Sequence, residues 1–294
     1  MIILNEREYA ENCLRNGLMD SKPFNTLSIL AKYYYHCFGY RKKKITSLLL
    51  DYLSKYYPRY ELNELSWQTS VEKIASNAGS FELFEISGVK VTKSEMETIL
   101  GLKNKVLERL AFTMLCLAKL NNIKNPRNNG WVNSDSKEIF SYARISCKAD
   151  EREVKIGQLW QKGLLEFSKR NDNLNCRVTF IDDNSDEELF MSEISFQELG
   201  YEYMNYTNKL PKGKFFIRCL ECGCLTYGNK NKSKKYCSKC KKNTPQVSKT
   251  VICVDCGKRF ETSSKNSKSI RCRECQNIIN REKKRLWKQQ NRQK

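Results

Sequence analysis

Cys219-Leu220-Glu221-Cys222-Gly223 is answered 34 residues later by Cys253-Val254-Asp255-Cys256-Gly257, and Tyr236-Cys237-Ser238-Lys239-Cys240 is answered 35 residues later by Arg271-Cys272-Arg273-Glu274-Cys275. These four Cys-x-x-Cys knuckles hold eight of the fourteen cysteines, with fourteen residues between the first two knuckles and fifteen between the last two. At such spacings one tetrahedral ion collects four thiolates from two knuckles. Each knuckle sets two sulfurs on one tight turn, and in the first and third the glycine after the second cysteine, Gly223 and Gly257, lets the turn close at positive φ. The repeat therefore predicts two tandem modules with one structural Zn2+ each, two per chain. Cys219, Cys222, Cys237 and Cys240 serve the first, and Cys253, Cys256, Cys272 and Cys275 the second. Cys224, the ninth thiol of the stretch, is an alternative ligand beside the first knuckle.

Disulfides, a redox-active pair and an iron–sulfur cluster compete with zinc for cysteines of this kind. Disulfides need an oxidising compartment, and Met1-Ile2-Ile3-Leu4-Asn5-Glu6 does not read as a signal peptide, so a cytoplasmic location is expected. A thioredoxin-like site is one knuckle at a helix start in a βαβ unit, not four in a basic tail. An all-cysteine shell is closed to water, which suits a structural ion and not a catalytic one.

Charge is distributed as unevenly as cysteine. Residues 205–294 carry 25 Lys and Arg against 5 Asp and Glu, and residues 1–204 carry 28 against 28, so the tail holds the whole +20. Two four-thiolate zinc centres of formal charge about −2 each would offset only part of that. The rest would attract a polyanion, and nucleic acid is the expected partner, DNA favoured over RNA. The longest apolar run, Leu110–Leu117, is too short to span a bilayer, so no membrane role is expected.

Upstream of the cysteines, periodicity predicts helices over Glu6–Asn16, Phe24–Cys37, Ile45–Tyr56 and Trp67–Ser76. Residues 81–91 alternate like a hairpin turning at Ser87-Gly88, which would complete a first winged-helix-like unit over 1–93. A long apolar helix is expected from Ser94 to Leu120, then a turn-rich link from Asn121 to Gly130. Trp131-Val132 reads as a short strand, followed by helices over Ser136–Arg144 and Arg152–Lys162, the second ended by Gly163. Leu164–Phe167 and Arg177–Ile181 read as strands joined by a polar tip that contains Lys169 and Arg170. Residues 182–204 carry seven acidic residues through Glu198, and read as an acidic linker, or as a phosphate mimic that covers the basic tail. Zinc modules over 205–246 and 247–294 follow, and the chain ends in a basic helix from Cys275.

The expected fold class is thus mainly α with small β-hairpins. Helix, short strand, helix, helix and hairpin over Ser94–Ile181 resembles a winged helix-turn-helix body. A knuckle that feeds directly into a helix resembles a treble-clef finger. Together with the basic tail, this layout is similar in architecture to winged-helix and four-cysteine zinc-finger accessory DNA-binding proteins of bacterial phages and mobile elements. The resemblance implies a DNA-binding accessory or regulatory factor acting in the bacterial cytoplasm or nucleoid. By analogy, Lys169, Arg170 and Arg177 would reach phosphates from the wing. The second module would add Lys258, Arg259, Arg271 and Arg273, and the terminal helix Arg281, Arg285, Lys288 and Arg292, spaced to line one helical face, with Lys284 beside them.

Catalysis finds no support in the motifs. The sequence lacks a Walker-type phosphate loop, a Rossmann glycine pattern and His-Glu-x-x-His, leaving scattered carboxylates of a nuclease as the enzymatic alternative. No small-molecule substrate is expected. The single histidine, His36, lies in a tyrosine-rich helix and reads as a satisfied core residue. Cys13, Cys37, Cys116, Cys147 and Cys176 read as small core residues. The non-enzymatic alternative to DNA binding is a docking adaptor or inhibitor whose neutral body, residues 1–181, binds a protein of a host nucleic-acid machine.

Overall fold

The computed structural model describes residues 2–20, 22–58, 60–168, 175–229, 234–243, 250–262 and 269–290. Lys169, Arg170 and Arg292 lie outside them, as does the side chain of Lys288. The described chain is mainly helical, with small antiparallel strand pairs, and divides into two compact units, Met1–Lys235 and Tyr236–Lys294.

The first unit opens with α1 (Glu6–Asn16), α2 (Pro23–Phe38), α3 (Lys42–Tyr56) and α4 (Glu64–Ser76). Each boundary follows local chemistry. Asn5 caps α1 through a bond from the Glu8 N–H, Pro23 starts α2 where its missing N–H costs nothing, and Gly17 and Gly39 end these helices in the left-handed region. Leu27, Leu30, Ile45, Leu49, Leu53 and Val71 form the centre of their core.

A second core is built around two further helices. After β1 (Gly88–Thr92) come α5 (Lys93–Leu100) and α6 (Lys105–Lys124), where the apolar pattern predicts a single helix from Ser94 to Leu120. Asn104 breaks it: its side chain accepts from the N–H groups of Val106 and Leu107 and starts a new helix, and Lys103 turns through φ 51° just before. Thr92 and Glu95 form a capping box at the start of α5. From Leu110 to Leu120, α6 is buried on every side, as a helix at the centre of a core must be.

Around α6 run β2 (Trp131–Val132), α7 (Ser136–Tyr142), α8 (Ala149–Gln161), β3 (Leu165–Phe167) and β4 (Cys176–Val178), and the three strands form an antiparallel sheet of order β2-β4-β3. Asp135 caps α7 by accepting from the Lys137 N–H. Gly163, at φ 74°, makes the step from α8 to β3.

Two expectations fail here, for one reason. Residues 81–91 form no hairpin; β1 pairs instead with β5 (Glu187–Ser192), Val89 opposite Met191 and Val91 opposite Leu189. The acidic stretch 182–204 is accordingly not a linker. It supplies β5, α9 (Glu193–Phe196) and α10 (Leu199–Tyr206), and its carboxylates serve the body. Asp182 accepts from Ser94 Oγ at 2.6 Å, Asp183 pairs with Lys119 at 2.7 Å, and Glu193 accepts from the backbone of Leu4 and Asn5 at 3.2 and 2.9 Å. Lys119, nearly buried, also meets both oxygens of buried Glu95 at 2.9 and 3.1 Å, so its charge is matched on two sides. The first winged-helix-like unit expected over 1–93 therefore lacks its wing.

His36 is satisfied without being a core residue: it is exposed, and its Nε2 lies 2.9 Å from the Phe81 carbonyl oxygen. Cys13, Cys116 and Cys176 are buried as expected, and burial pushes all three thiols up, Cys176 to about 11. Cys147 is half-buried and Cys37 is exposed.

The cysteine region contributes β6 (Phe216–Arg218) paired with β7 (Leu225–Tyr227), then α11 (Ser238–Asn243), then β8 (Thr250–Ile252) paired with β9 (Arg259–Glu261), then α12 (Arg273–Gln290).

Candidate metal centres and cationic helix

Each four-cysteine module is a short hairpin whose turn carries one knuckle and a helix whose start carries the other. In the first, the Cys219 N–H donates to Cys224 O at 3.0 Å and the Gly223 N–H to Cys219 O at 2.9 Å. In the second, Cys253 donates to Lys258 O and Gly257 to Cys253 O, both at 2.9 Å. The glycines sit at φ 68° and 70°, the conformation that Cβ opposes. Further bonds match: Leu220 to Lys235 O and Val254 to Ile270 O, then Lys241 to Cys237 O and Gln276 to Cys272 O. The repeat in sequence is thus a repeat in structure.

The sulfurs of Cys219, Cys222, Cys237 and Cys240 lie within 4.8 Å of one another, and so do those of Cys253, Cys256, Cys272 and Cys275. Four thiolates about 2.3 Å from a tetrahedral zinc have sulfur–sulfur edges of about 3.8 Å; Cys256 and Cys272 stand 3.7 Å apart. Each group can hold one metal ion, and the soft all-sulfur donor set suits zinc. In the second group the Cys272 N–H donates to Cys253 Sγ at 3.3 Å. That bond, helped by the N–H groups of Asp255 and Cys256, pulls the Cys253 thiol down to about 6. Hydrogen bonding with Cys272 and Cys256 holds the Cys275 thiol up.

The two hairpins differ in what lies on them. Phe216 and Tyr227 stack at 4.9 Å, and both rings meet Tyr201 of α10 at 5.1 Å. The Arg144 guanidinium lies 5.1 Å from the centre of the Tyr201 ring, and Arg144 pairs with Glu198. Arg218 reaches Glu202 at 3.2 Å. At the equivalent positions the second hairpin has Thr250, Ile252 and Glu261, and Ile252 is exposed.

Beyond the second knuckle, α12 runs eighteen residues. Arg273, Arg281, Lys284 and Arg285 are exposed along it, and so are Leu286 and Trp287; Ile279 is half-buried. Ile278 and Trp287 are both more than half exposed. Lys258 reaches Glu274 at 3.6 Å, Arg259 is exposed, and Arg271 pairs with Asp255 at 2.7 Å. On the body, Arg177 is engaged: its guanidinium donates to Asn129 O at 2.9 Å and meets Glu166 at 3.1 Å.

The aromatic and ionic seat of the first hairpin on α10 escapes sequence reasoning. Tyr201, Phe216 and Tyr227 carry no pattern that links them, although the second repeat visibly lacks aromatic residues at the matching positions. No protein-family model, curated protein or solved structure matches the chain. No helix among the described residues is long and apolar enough to cross a membrane.

Proposed function

We propose that this chain is a non-enzymatic zinc protein that binds nucleic acid, DNA in preference to RNA, as an accessory or regulatory factor of a phage or mobile element. The observation that carries it is α12. The helix leaves the second four-cysteine group with Arg273, Arg281, Lys284 and Arg285 exposed, in a tail that holds the chain's whole positive excess. Two closed thiolate shells hold the tail's fold and leave the cations to meet phosphate. The winged-helix reading of the body draws support from the element order α6, β2, α7, α8, β3, β4 and from the sheet order β2-β4-β3, in which the first strand pairs with the second strand of the wing.

The test is binding of the zinc-loaded full chain to duplex DNA, single-stranded DNA and RNA over a range of salt. Affinity should fall with salt at a log–log slope of about −4 to −7, with duplex DNA bound most tightly; binding that salt does not weaken would contradict the reading.

A second reading is favoured by the engagement of Arg177. With that cation tied to Asn129 and Glu166, the neutral body suits a protein-docking adaptor whose tail supplies affinity for its partner's nucleic acid. Charge reversal at Lys169, Arg170 and Arg177 separates the two: it weakens a reader that uses its wing and leaves a docking protein almost unaffected.

A further inference from the structure

Between α7, α8 and α10 the body opens into a cleft of about 570 Å³, lined among others by Lys137, Ser141, Arg144, Ser146, Arg152 and Tyr201. Three of these six side chains are cations, and they are not equivalent. Arg144 is neutralised by Glu198 and braced on the Tyr201 ring. Lys137 is exposed and forms no ion pair among the described residues. Arg152 forms none either, and its Nε is buried without a hydrogen-bond partner. A buried donor left unpaired is unfavourable unless something that binds there accepts its bond. The acidic neighbours do not supply it: Glu138 points to Lys22 at 3.7 Å, and Asp150 and Glu151 sit on the first turn of α8 without lining the cleft.

We propose that this cleft is a seat for a phosphate group, held by the Arg152 guanidinium and the Lys137 ammonium. A guanidinium fork and an ammonium beside two serine hydroxyls match the oxygens of a phosphate, which accept several donors at once. The proposal deepens the nucleic-acid reading and rests on it where the phosphate belongs to a polynucleotide. It moves the body's contact from the wing, where Arg177 is already engaged, to the cleft between α7, α8 and α10.

The phosphate has two sources, a polynucleotide backbone or a free mononucleotide, and two probes distinguish them. Lys137→Gln and Arg152→Gln, singly and together, are compared with wild type in the zinc-loaded full chain. Each protein is titrated with a duplex oligonucleotide over a range of salt and, separately, with a 5′-mononucleotide. Lys137→Gln removes a cation from the positive end of a helix, so α7 is not weakened by it, and it keeps the experiment readable should Arg152→Gln perturb packing. For a backbone phosphate the double variant binds DNA about tenfold more weakly and its salt slope falls by about 2, one unit for each cation that no longer meets phosphate. For a free nucleotide the double variant loses mononucleotide binding and keeps its DNA affinity. Unchanged affinity for both probes, or a wild-type chain that binds neither, overturns the proposal. A wild type that binds mononucleotide through the cleft but no polynucleotide leaves the seat standing and removes the nucleic-acid function.

Discussion

The first cysteine hairpin carries Phe216, Arg218 and Tyr227 where the second carries Thr250, Ile252 and Glu261; behind those faces the backbones make the same bonds. Among the described residues the helices that close the modules differ as well, six residues in α11 against eighteen in α12. One scaffold thus carries two different outer faces. In the first copy the outward face of the hairpin is spent on α10, through the Phe216, Tyr227 and Tyr201 rings and the Arg218 pair with Glu202. In the second the aromatic and basic residues of that face are replaced, and a long cationic helix follows instead. The two copies differ not in their cysteines, which match, but in the side chains a few residues to either side of them.

The sharpest way to break this comparison is to remove one centre at a time. Cys272→Ser is expected to halve the zinc content, from two ions per chain to one, and to weaken DNA binding by about a hundredfold, because a structural zinc module does not hold its fold without metal. Cys219→Ser should also leave one zinc, with a loss of body stability and a smaller loss of DNA affinity. Metal analysis beside a binding titration checks both, and equal losses of affinity would erase the distinction.

Neutralising the helix tests the second copy alone. Arg281→Gln with Arg285→Gln should weaken DNA binding about tenfold and reduce the salt slope by about 2, without changing the melting temperature. The first copy is tested by Tyr201→Ala, which removes the ring that Phe216 and Tyr227 meet and the surface beneath Arg144. A loss of about 1–3 kcal/mol in denaturant unfolding is expected, given about 0.5–1.5 kcal/mol per aromatic pair beyond burial, with zinc content kept.

The smallest effects come from the glycines that close the knuckles. Gly257→Ala forces a side chain to φ 70° with nothing within 4 Å of the new Cβ, so it should cost about 1–2 kcal/mol from backbone strain. Gly223→Ala meets the same strain and also Ile194 Cδ1 at 3.3 Å, because this hairpin lies against the body. It should cost slightly more, and paired thermal melts would show whether the close approach to Ile194 matters.

The cysteine modules are legible in the sequence because their chemistry is local: ligand, glycine and helix start lie within a few residues of one another, and the repeat states the pattern twice. The helices from Glu6 to Ser76 and the step at Gly163 are legible for the same reason. Pairings across the chain are not. Leu189 and Met191 alternate with Glu188 and Phe190 as a strand should, but seven acidic residues nearby make the segment resemble a solvated link, and its partner β1 lies about a hundred residues away. Nor does composition reveal that those carboxylates are consumed by Ser94, Lys119 and the backbone of Leu4 and Asn5. The break at Asn104 is readable as a cap and is hidden by the apolar runs on both sides of it.

The most direct test of the central claim is the affinity of the full chain for duplex DNA across salt, measured zinc-loaded and again after a strong chelator has removed the metal. About two zinc ions per chain should be released, with a log–log slope of about −4 to −7 before chelation and a loss of most of that affinity afterwards. Affinity that survives the loss of both ions would contradict it, since the cations of α12 would then need no metal-built scaffold to meet phosphate.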